Sequence, residues 1–322
     1  MNKKITINYL SHDRLDFCEL MFHFLSKIKE ENKQKIKINI LASQENNWKE
    51  LCDPLGIEYS VHIIKSNRNF LDKIDIALST DTKYSVKLDE DNFANNHIWD
   101  YMIEKVDVLN NEEYLALAPV MTNNIPSCDF FIEDYIKDEE VKSMIYGYFL
   151  NRSMPNGLWG VDYTVLNKHT INAKQWNPKA FYESVANLGT QIMGIHPLRI
   201  SYEAQKTIND YIIDHIEDFV NKKEYEIFTV DVPYYNNGIS VIKTDEWRKI
   251  LSQSSVDGFD EISLNIYKNK HDKKILFIKN AFAVHPMYNT VFGDKNPWNI
   301  GVANGQQAES DFYKKLVNKV IS

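Results

Sequence analysis

Two aspartates, Asp89 and Asp91, stand where an apolar run, Tyr84 to Leu88, gives way to polar sequence. Side chains at i and i+2 of a strand leave on one side, so the spacing predicts two carboxylates facing one point. Paired hard oxygen ligands with open positions suit Mg²⁺ or Mn²⁺, and such an ion would grip phosphate oxygens. The same spacing arises by chance in long chains, and a solvated acidic turn is the plain alternative. Position favours the chemistry, because the pair closes a strand. His285 ends a second β-rich run and could supply an imidazole to the same ion. Lys87, beside the pair, and Lys295, downstream, are candidate cations for phosphates. Ser11, Arg14, Asn67 and Asn69 sit on turns that follow other strands, and Glu90, between the aspartates, is the expected partner of a ribose or donor-sugar hydroxyl. Surface Arg and turn-forming Asn are common without a ligand, so these residues also have a bland explanation. His62, His97, His196 and His215 lack such context and are expected to be structural.

Those residues need elements that converge. Ile5 to Leu10 reads as a strand, and Leu15 to Glu30 carries Phe17, Leu20, Phe24, Leu25 and Ile28 at helical spacing. A second strand is predicted over Ile36 to Leu41, a third over Tyr59 to Ile64 and a fourth over Tyr84 to Leu88. Helices are predicted between them, over Trp48 to Leu55 and Phe70 to Leu78. Strands alternating with helices predict an α/β fold with a mostly parallel sheet. Ligands of such sheets sit beyond the carboxyl ends of the strands. The turns at Ser11–Arg14, Ser66–Asn69 and Asp89–Asp91 should therefore meet in one crevice. Residues 1–121 form this regular half. Residues 122–192 read as short helices and loops, a central elaboration. Residues 193–322 return to regular pattern, with a strand near Gly238 to Ile242, a strong β run over Lys274 to Val284 and an amphipathic helix over Ser310 to Val320. One composite domain is expected.

Composition narrows the classes. The 322 residues carry 37 Lys and Arg against 45 Asp and Glu, a net charge of −8. That balance argues against sequence-independent nucleic-acid binding, which needs a cationic surplus. No apolar run is long enough for a membrane span or a signal peptide. A cytoplasmic protein is expected, with peripheral contact at the inner membrane face open to the lysine-bearing C-terminal helix. Docking of that helix on the core is the commoner arrangement. Cys18, Cys52 and Cys128 are too few for a disulfide framework or a zinc site and should be buried thiols.

The order strand, Ser-x-Asp-Arg turn, helix, strand, helix, strand, Asn-containing turn, helix and KYSVKLDED resembles the nucleotide-sugar-binding half of a GT-A glycosyltransferase. The resemblance covers residues 4–93. Weaker echoes of the glycogenin-like branch follow. They are the Asn-Gly strand at Tyr234 to Ile242, the acidic helix start at Asp260-Glu261, His285 at a strand end, and Gly293-Asp294-Lys295-Asn296-Pro297-Trp298. The last departs from the branch pattern, since Asn296 separates Lys295 from Pro297. The resemblance implies a GT-A, Rossmann-like sheet and a nucleotide-sugar donor, UDP-linked by preference. It also implies Mn²⁺ or Mg²⁺ on Asp89, Asp91 and His285, and a glycan or lipid-linked acceptor. It places the nucleoside against Ser11, Arg14, Asn67 and Asn69.

The acceptor side is thinner. An inverting transfer needs a carboxylate base, for which Asp260, Glu261 and Asp162 are candidates, whereas a retaining one does not. Trp159, flanked by glycines, and Asn237 could contact the acceptor. Three other functions compete. A sugar-phosphate nucleotidyltransferase would carry a Gly-rich loop after the first strand, and that loop is missing. An NAD or methyl-donor enzyme would need G-x-G-x-x-G there, equally missing. A catalytically silent carbohydrate-binding protein of the same fold is the third.

Overall fold

The computed structural model describes residues 3–11, 14–65, 69–151, 174–187, 196–236, 238–253, 260–288 and 302–321, with backbone alone at 69–71, 200, 260, 281–282 and 302–304. One eight-stranded sheet organises them, in the order β3-β2-β1-β4-β7-β5-β8-β6. The strands are β1 (Ile5–Leu10), β2 (Ile36–Ala42), β3 (Glu58–Ile63), β4 (Tyr84–Asp89), β5 (Tyr114–Met121), β6 (Glu226–Val230), β7 (Ile239–Lys243) and β8 (Lys274–Ala283). The helices are α1 (Leu15–Ser26), α2 (Glu30–Lys33), α3 (Trp48–Cys52), α4 (Asn69–Leu78), α5 (Asn96–Lys105), α6 (Ser127–Tyr135) and α7 (Glu139–Leu150). They continue with α8 (Pro178–Val185), α9 (Tyr202–Val220), α10 (Thr244–Ser252), α11 (Asp260–Lys270) and α12 (Val302–Val320).

The βαβ pattern of the first ninety residues produces a parallel block, β3-β2-β1-β4, in which Ile5 to Leu10 register against Ile36 to Leu41 on one side and Tyr84 to Asp89 on the other. The predicted mostly parallel sheet is correct for this block and too simple for the remainder. β7 runs antiparallel between β4 and β5, and β6 runs antiparallel on the edge beside β8. Four apolar or small residues such as Ile239-Ser240-Val241-Ile242 fill a central strand of either direction. Direction is set by the connection, and periodicity does not report it.

Alternation along the strands sorts the core into two layers. Ile5, Ile7, Tyr9, Tyr84, Val86 and Leu88 pack on one face with α1, α5 and α12. Leu10, Ala116, Ile242 and Phe277 face the other way, toward α4, α10 and α11 through Ile74, Trp247 and Leu264. At roughly 25 cal/mol per Å² of apolar surface, burial of this size dominates the stabilisation of the domain. In α12, Phe312, Tyr313 and Leu316 are buried while Lys314 and Lys315 stay exposed. The apolar stripe of the C-terminal helix is thus spent on the core. No helix among the described residues is long and apolar enough to cross a membrane.

Candidate functional site

The chain winds β1, β2, β3 outward in one direction and then returns to place β4 on the opposite flank of β1. That reversal marks the region outside the carboxyl ends of β1 and β4, the place where open α/β sheets bind ligands. Ser11 and Arg14 leave β1 into it, and Asp89, Glu90 and Asp91 leave β4 into it. β1 and β4 end in register, Leu10 opposite Asp89.

The aspartates do not project by strand pleat as expected. β4 stops at Asp89, and a turn closed by the Asn92 N–H donating to the Asp89 carbonyl at 3.1 Å carries Glu90 and Asp91. Asp89 therefore faces back along its own strand, where Lys87 Nζ donates to it at 2.9 Å. Asp91 turns toward His285, with Oδ2 3.8 Å from Nε2. Glu90 is 1% exposed. It accepts from Ser11 Oγ and the Arg14 backbone N–H at 3.3 Å each, and from Arg14 Nε at 2.6 Å. Its task is internal, to fasten the β1 turn to the β4 turn. Lys73 of α4 holds the same turn from below, donating to the Ser11 carbonyl at 2.5 Å.

Arg14 is the hub. Besides Glu90 it donates to Asp91 Oδ2 at 3.3 Å and to Glu309 Oε2 of α12 at 3.1 Å. Its guanidinium also lies over the Phe17 ring, 4.3 Å from the centroid. Burial opposes its charge, but Glu90, Asp91 and Glu309 outweigh burial and hold its pKa above the ordinary value. Glu309 answers in the other direction. Burial, and then the neighbouring Asp91 charge, push its carboxyl up to about 7. The Tyr313 hydroxyl donates to the Asp91 carbonyl, so α12 clamps the acidic turn from outside.

His285 reaches the site through an irregular β8. Register jumps between the pairs Pro119–Ile278 and Val120–Phe282, with Asn280 at φ 63°, in the left-handed region. This bulge re-aims the strand end. Val284 then bridges Phe93 just beyond the acidic turn. Asn124 Oδ1 accepts from His285 Nδ1, while Asn124 Nδ2 faces the Met121 sulfur and the Asn236 carbonyl. That amide orientation puts the imidazole proton on Nδ1 and leaves the Nε2 lone pair toward Asp91. Burial lowers the His285 pKa, against the opposing pull of Asp91, and keeps the ring neutral. A neutral imidazole with an oriented lone pair beside a carboxylate is the donor set a divalent ion of the Mn²⁺ type accepts.

The network extends to the acceptor candidates. Asn236 Nδ2 donates to Glu261 Oε2 at 2.5 Å, and the Asn236 carbonyl meets Asn124. Glu261, Asn236, Asn124 and His285 form one continuous relay. Gly238 makes it possible, because a Cβ there would lie 2.4 Å from Met121 Cε and 2.9 Å from Asn124 Nδ2.

Of the expected site residues, Ser11, Arg14, Lys87, Asp89, Glu90, Asp91, Glu261 and His285 are thus brought to the carboxyl side of the sheet. Asn67, Trp159, Asp162, Asn237 and Lys295 lie outside the described residues, as do the side chains of Asn69 and Asp260. Six residues of the cluster escaped sequence reasoning, Lys73 and Tyr313 among them. Asn124 and Asn236 follow strand or loop ends and were visible in principle by the carboxyl-edge rule. Glu309 precedes the predicted start of the last helix, and Arg199, which acts on the charge of His285, had no signal at all.

Among the described residues, the trio of possible metal-ligand atoms lying within 4.8 Å of one another is Cys128, Asp129 and His196, not the Asp89–Asp91–His285 set. This buried trio closes on itself by hydrogen bonds. Trp176 Nε1 donates to Asp129 Oδ1 at 3.0 Å, and the Tyr182 hydroxyl and His196 Nε2 reach Oδ2 at 3.1 and 3.3 Å. His196 Nδ1 accepts from the Leu198 N–H at 3.2 Å, so Nε2 carries the proton and offers no lone pair. Burial holds the Cys128 thiol well above its usual range, against thiolate formation. All three described cysteines are buried and free.

No protein-family model matches the chain, and no curated protein matches it.

Proposed function

We propose that the protein is a metal-dependent glycosyltransferase that moves a sugar from a nucleotide-diphosphate donor, UDP-linked by preference, to a glycan or lipid-linked acceptor of a surface polysaccharide. One observation carries this reading. The acidic turn Asp89–Asp91 and the Ser11–Arg14 turn flank the region where the strand order reverses, with the lone pair of His285 aimed at Asp91. The GT-A resemblance of residues 4–93 supports the same assignment.

Negative charge grows on the diphosphate as the glycosidic bond breaks, and a divalent ion would neutralise it there. Asp91 and His285 would hold that ion, with Asp89 joining after release from Lys87. Lys87 is then available to the phosphates. Arg14 keeps both turns fixed, so the carboxylates are set before the ligand arrives. Glu261, poised by Asn236, is the candidate base for an inverting transfer.

Thermal unfolding with a panel of nucleotide-sugars and Mn²⁺ tests the proposal. A donor at a hundred times its Kd should stabilise the wild type by about 2.7 kcal/mol. Asp91→Asn should erase the response without lowering the unliganded midpoint. If no nucleotide-sugar moves the wild type, the assignment is wrong.

A further inference from the structure

Among the described residues, Arg199 is a cation without an ion pair. It sits in the single-turn segment Pro197–Ile200, immediately before α9. That turn is rigid. His196 caps it, the Arg199 N–H donates to the His196 carbonyl at 2.9 Å, and Gln205 Nε2 holds the Leu198 carbonyl at 2.7 Å. The guanidinium is partly accessible, yet its Nε is shielded from solvent and has no hydrogen-bond partner. One terminal nitrogen meets the Met287 sulfur at 2.9 Å, a weak acceptor. Glu261 is the carboxylate whose charge acts on it, without an ion pair among the described residues. Burial pulls its pKa down, as it does for a cation without an anion.

The neighbouring cations are differently placed. Arg14 is divided among three carboxylates, and Lys87 is paired with Asp89. Through Met287, two residues beyond His285 on the same segment, Arg199 adjoins that cluster. A guanidinium has five donors in a planar fork that matches phosphate oxygens, and leaving it unpaired in a shielded site is unfavourable. Such a group is stabilised when a ligand brings the anion.

We propose that Arg199 is the protein's own diphosphate-binding residue, receiving phosphate oxygens of the ligand beside His285 and Met287. Its use for a nucleotide-sugar rests on the preceding proposal; its binding of a diphosphate does not. The arrangement separates two sources of positive charge. The ion at Asp91 and His285 would meet the phosphates from one set of residues, and Arg199 meets them without it.

Calorimetric titration of inorganic diphosphate and of UDP, in the presence of a chelator, reads Arg199 without a metal contribution. Wild type should bind both. Arg199→Met should weaken both by roughly 10- to 100-fold, the loss of a charge-assisted contact. Arg199→Lys should recover part of the affinity, as a point charge lacking the fork. The unliganded Arg199→Met protein should melt no lower than wild type, because no partner is stranded by the change. This last readout separates a ligand-binding role from a structural one. Diphosphate affinity within twofold of wild type in Arg199→Met overturns the assignment. So does a fall of several degrees in its unliganded midpoint, or failure of wild type to bind diphosphate. Should Arg199→Met fail to fold, the role is structural and the assignment falls; Arg199→Lys, with affinity equal to wild type for UDP and diphosphate, would also refute the fork. Diphosphate binding that depends on Arg199, with no response to any nucleotide-sugar and Mn²⁺, leaves this site standing and removes the glycosyltransferase.

Discussion

Replacing Arg14 by Met should destabilise the protein by about 3–5 kcal/mol near pH 8, and by clearly less near pH 5. The magnitude follows from which carboxylates it abandons. Glu90 and Glu309 have side chains 1% and 6% exposed, and each loses a charge-assisted bond, at 2.6 and 3.1 Å. Such bonds contribute about 1.5–3 kcal/mol apiece, in line with the 3–5 kcal/mol typical of breaking a buried ion pair. Asp91 is 21% exposed and 3.3 Å away, so it adds little. Met retains the apolar stem over Phe17, which limits the packing loss. With about 2.1 cal/mol/K per residue, unfolding entropy near 0.7 kcal/mol/K corresponds to a fall of about 4–7 °C in midpoint. The pH arm isolates the electrostatics. At pH 5, below the raised pKa of about 7, Glu309 is already neutral in the wild type, so its share of the loss disappears and the penalty shrinks. Urea unfolding at pH 8 and pH 5 measures both values. A loss below 1 kcal/mol at pH 8, or an equal loss at both pH values, would refute the view of Arg14 as the hub.

Four further outcomes are expected. Glu309 has a folded pKa of about 7 against an ordinary 4.5, so the folded state holds the extra proton between them. Stability from this group falls as pH rises from 4.5 to 7 and is flat above, and Glu309→Gln should flatten that slope in a melting series. Gly238→Ala should lower the melting temperature and weaken Mn²⁺-dependent ligand binding together, since its Cβ displaces Met121 and Asn124; a change in neither would show that the relay yields freely. His285→Gln should reduce Mn²⁺ affinity about 10–100-fold in a titration, and unchanged affinity would remove the imidazole from the ion. Asp129→Asn should leave Mn²⁺ affinity unchanged in the same titration, because Asp129 is already saturated by Trp176, Tyr182 and His196; a loss of affinity would move the ion to that trio.

Much of this arrangement was legible in the chain. Apolar runs marked β1, β2 and β4, and the edge rule brought the Ser11–Arg14 turn against Glu90 and Asp91, as their hydrogen bonds show, while Ser66–Asn69, the third turn of that expectation, lies outside the residues described with side chains. What escaped has physical causes. The side-chain direction at Asp91 is set by a turn, and the i, i+2 rule holds only inside a strand. β6 (EIFTV) is a half-exposed edge strand whose pattern is too short to stand out. The last helix begins at Val302, but residues up to Glu309 show little apolar periodicity, so only the stretch with Phe312 and Leu316 was visible. Arg199 was illegible because what marks it, an Nε without a partner among the described residues, is a property of three-dimensional surroundings.

The clamp of the last helix on the acidic turn also has a temporal side. Arg14, Glu90 and Asp91 are synthesised early, and their closing partners Glu309 and Tyr313 are more than two hundred residues later. At roughly 5–20 residues per second, the ribosome needs some ten to forty seconds to supply them. For that interval a nascent chain carries the β4 turn unclamped and one Arg14 donor unsatisfied. Closure of the acidic turn therefore waits on α12, whose Glu309 and Tyr313 follow the β4 turn by more than two hundred residues.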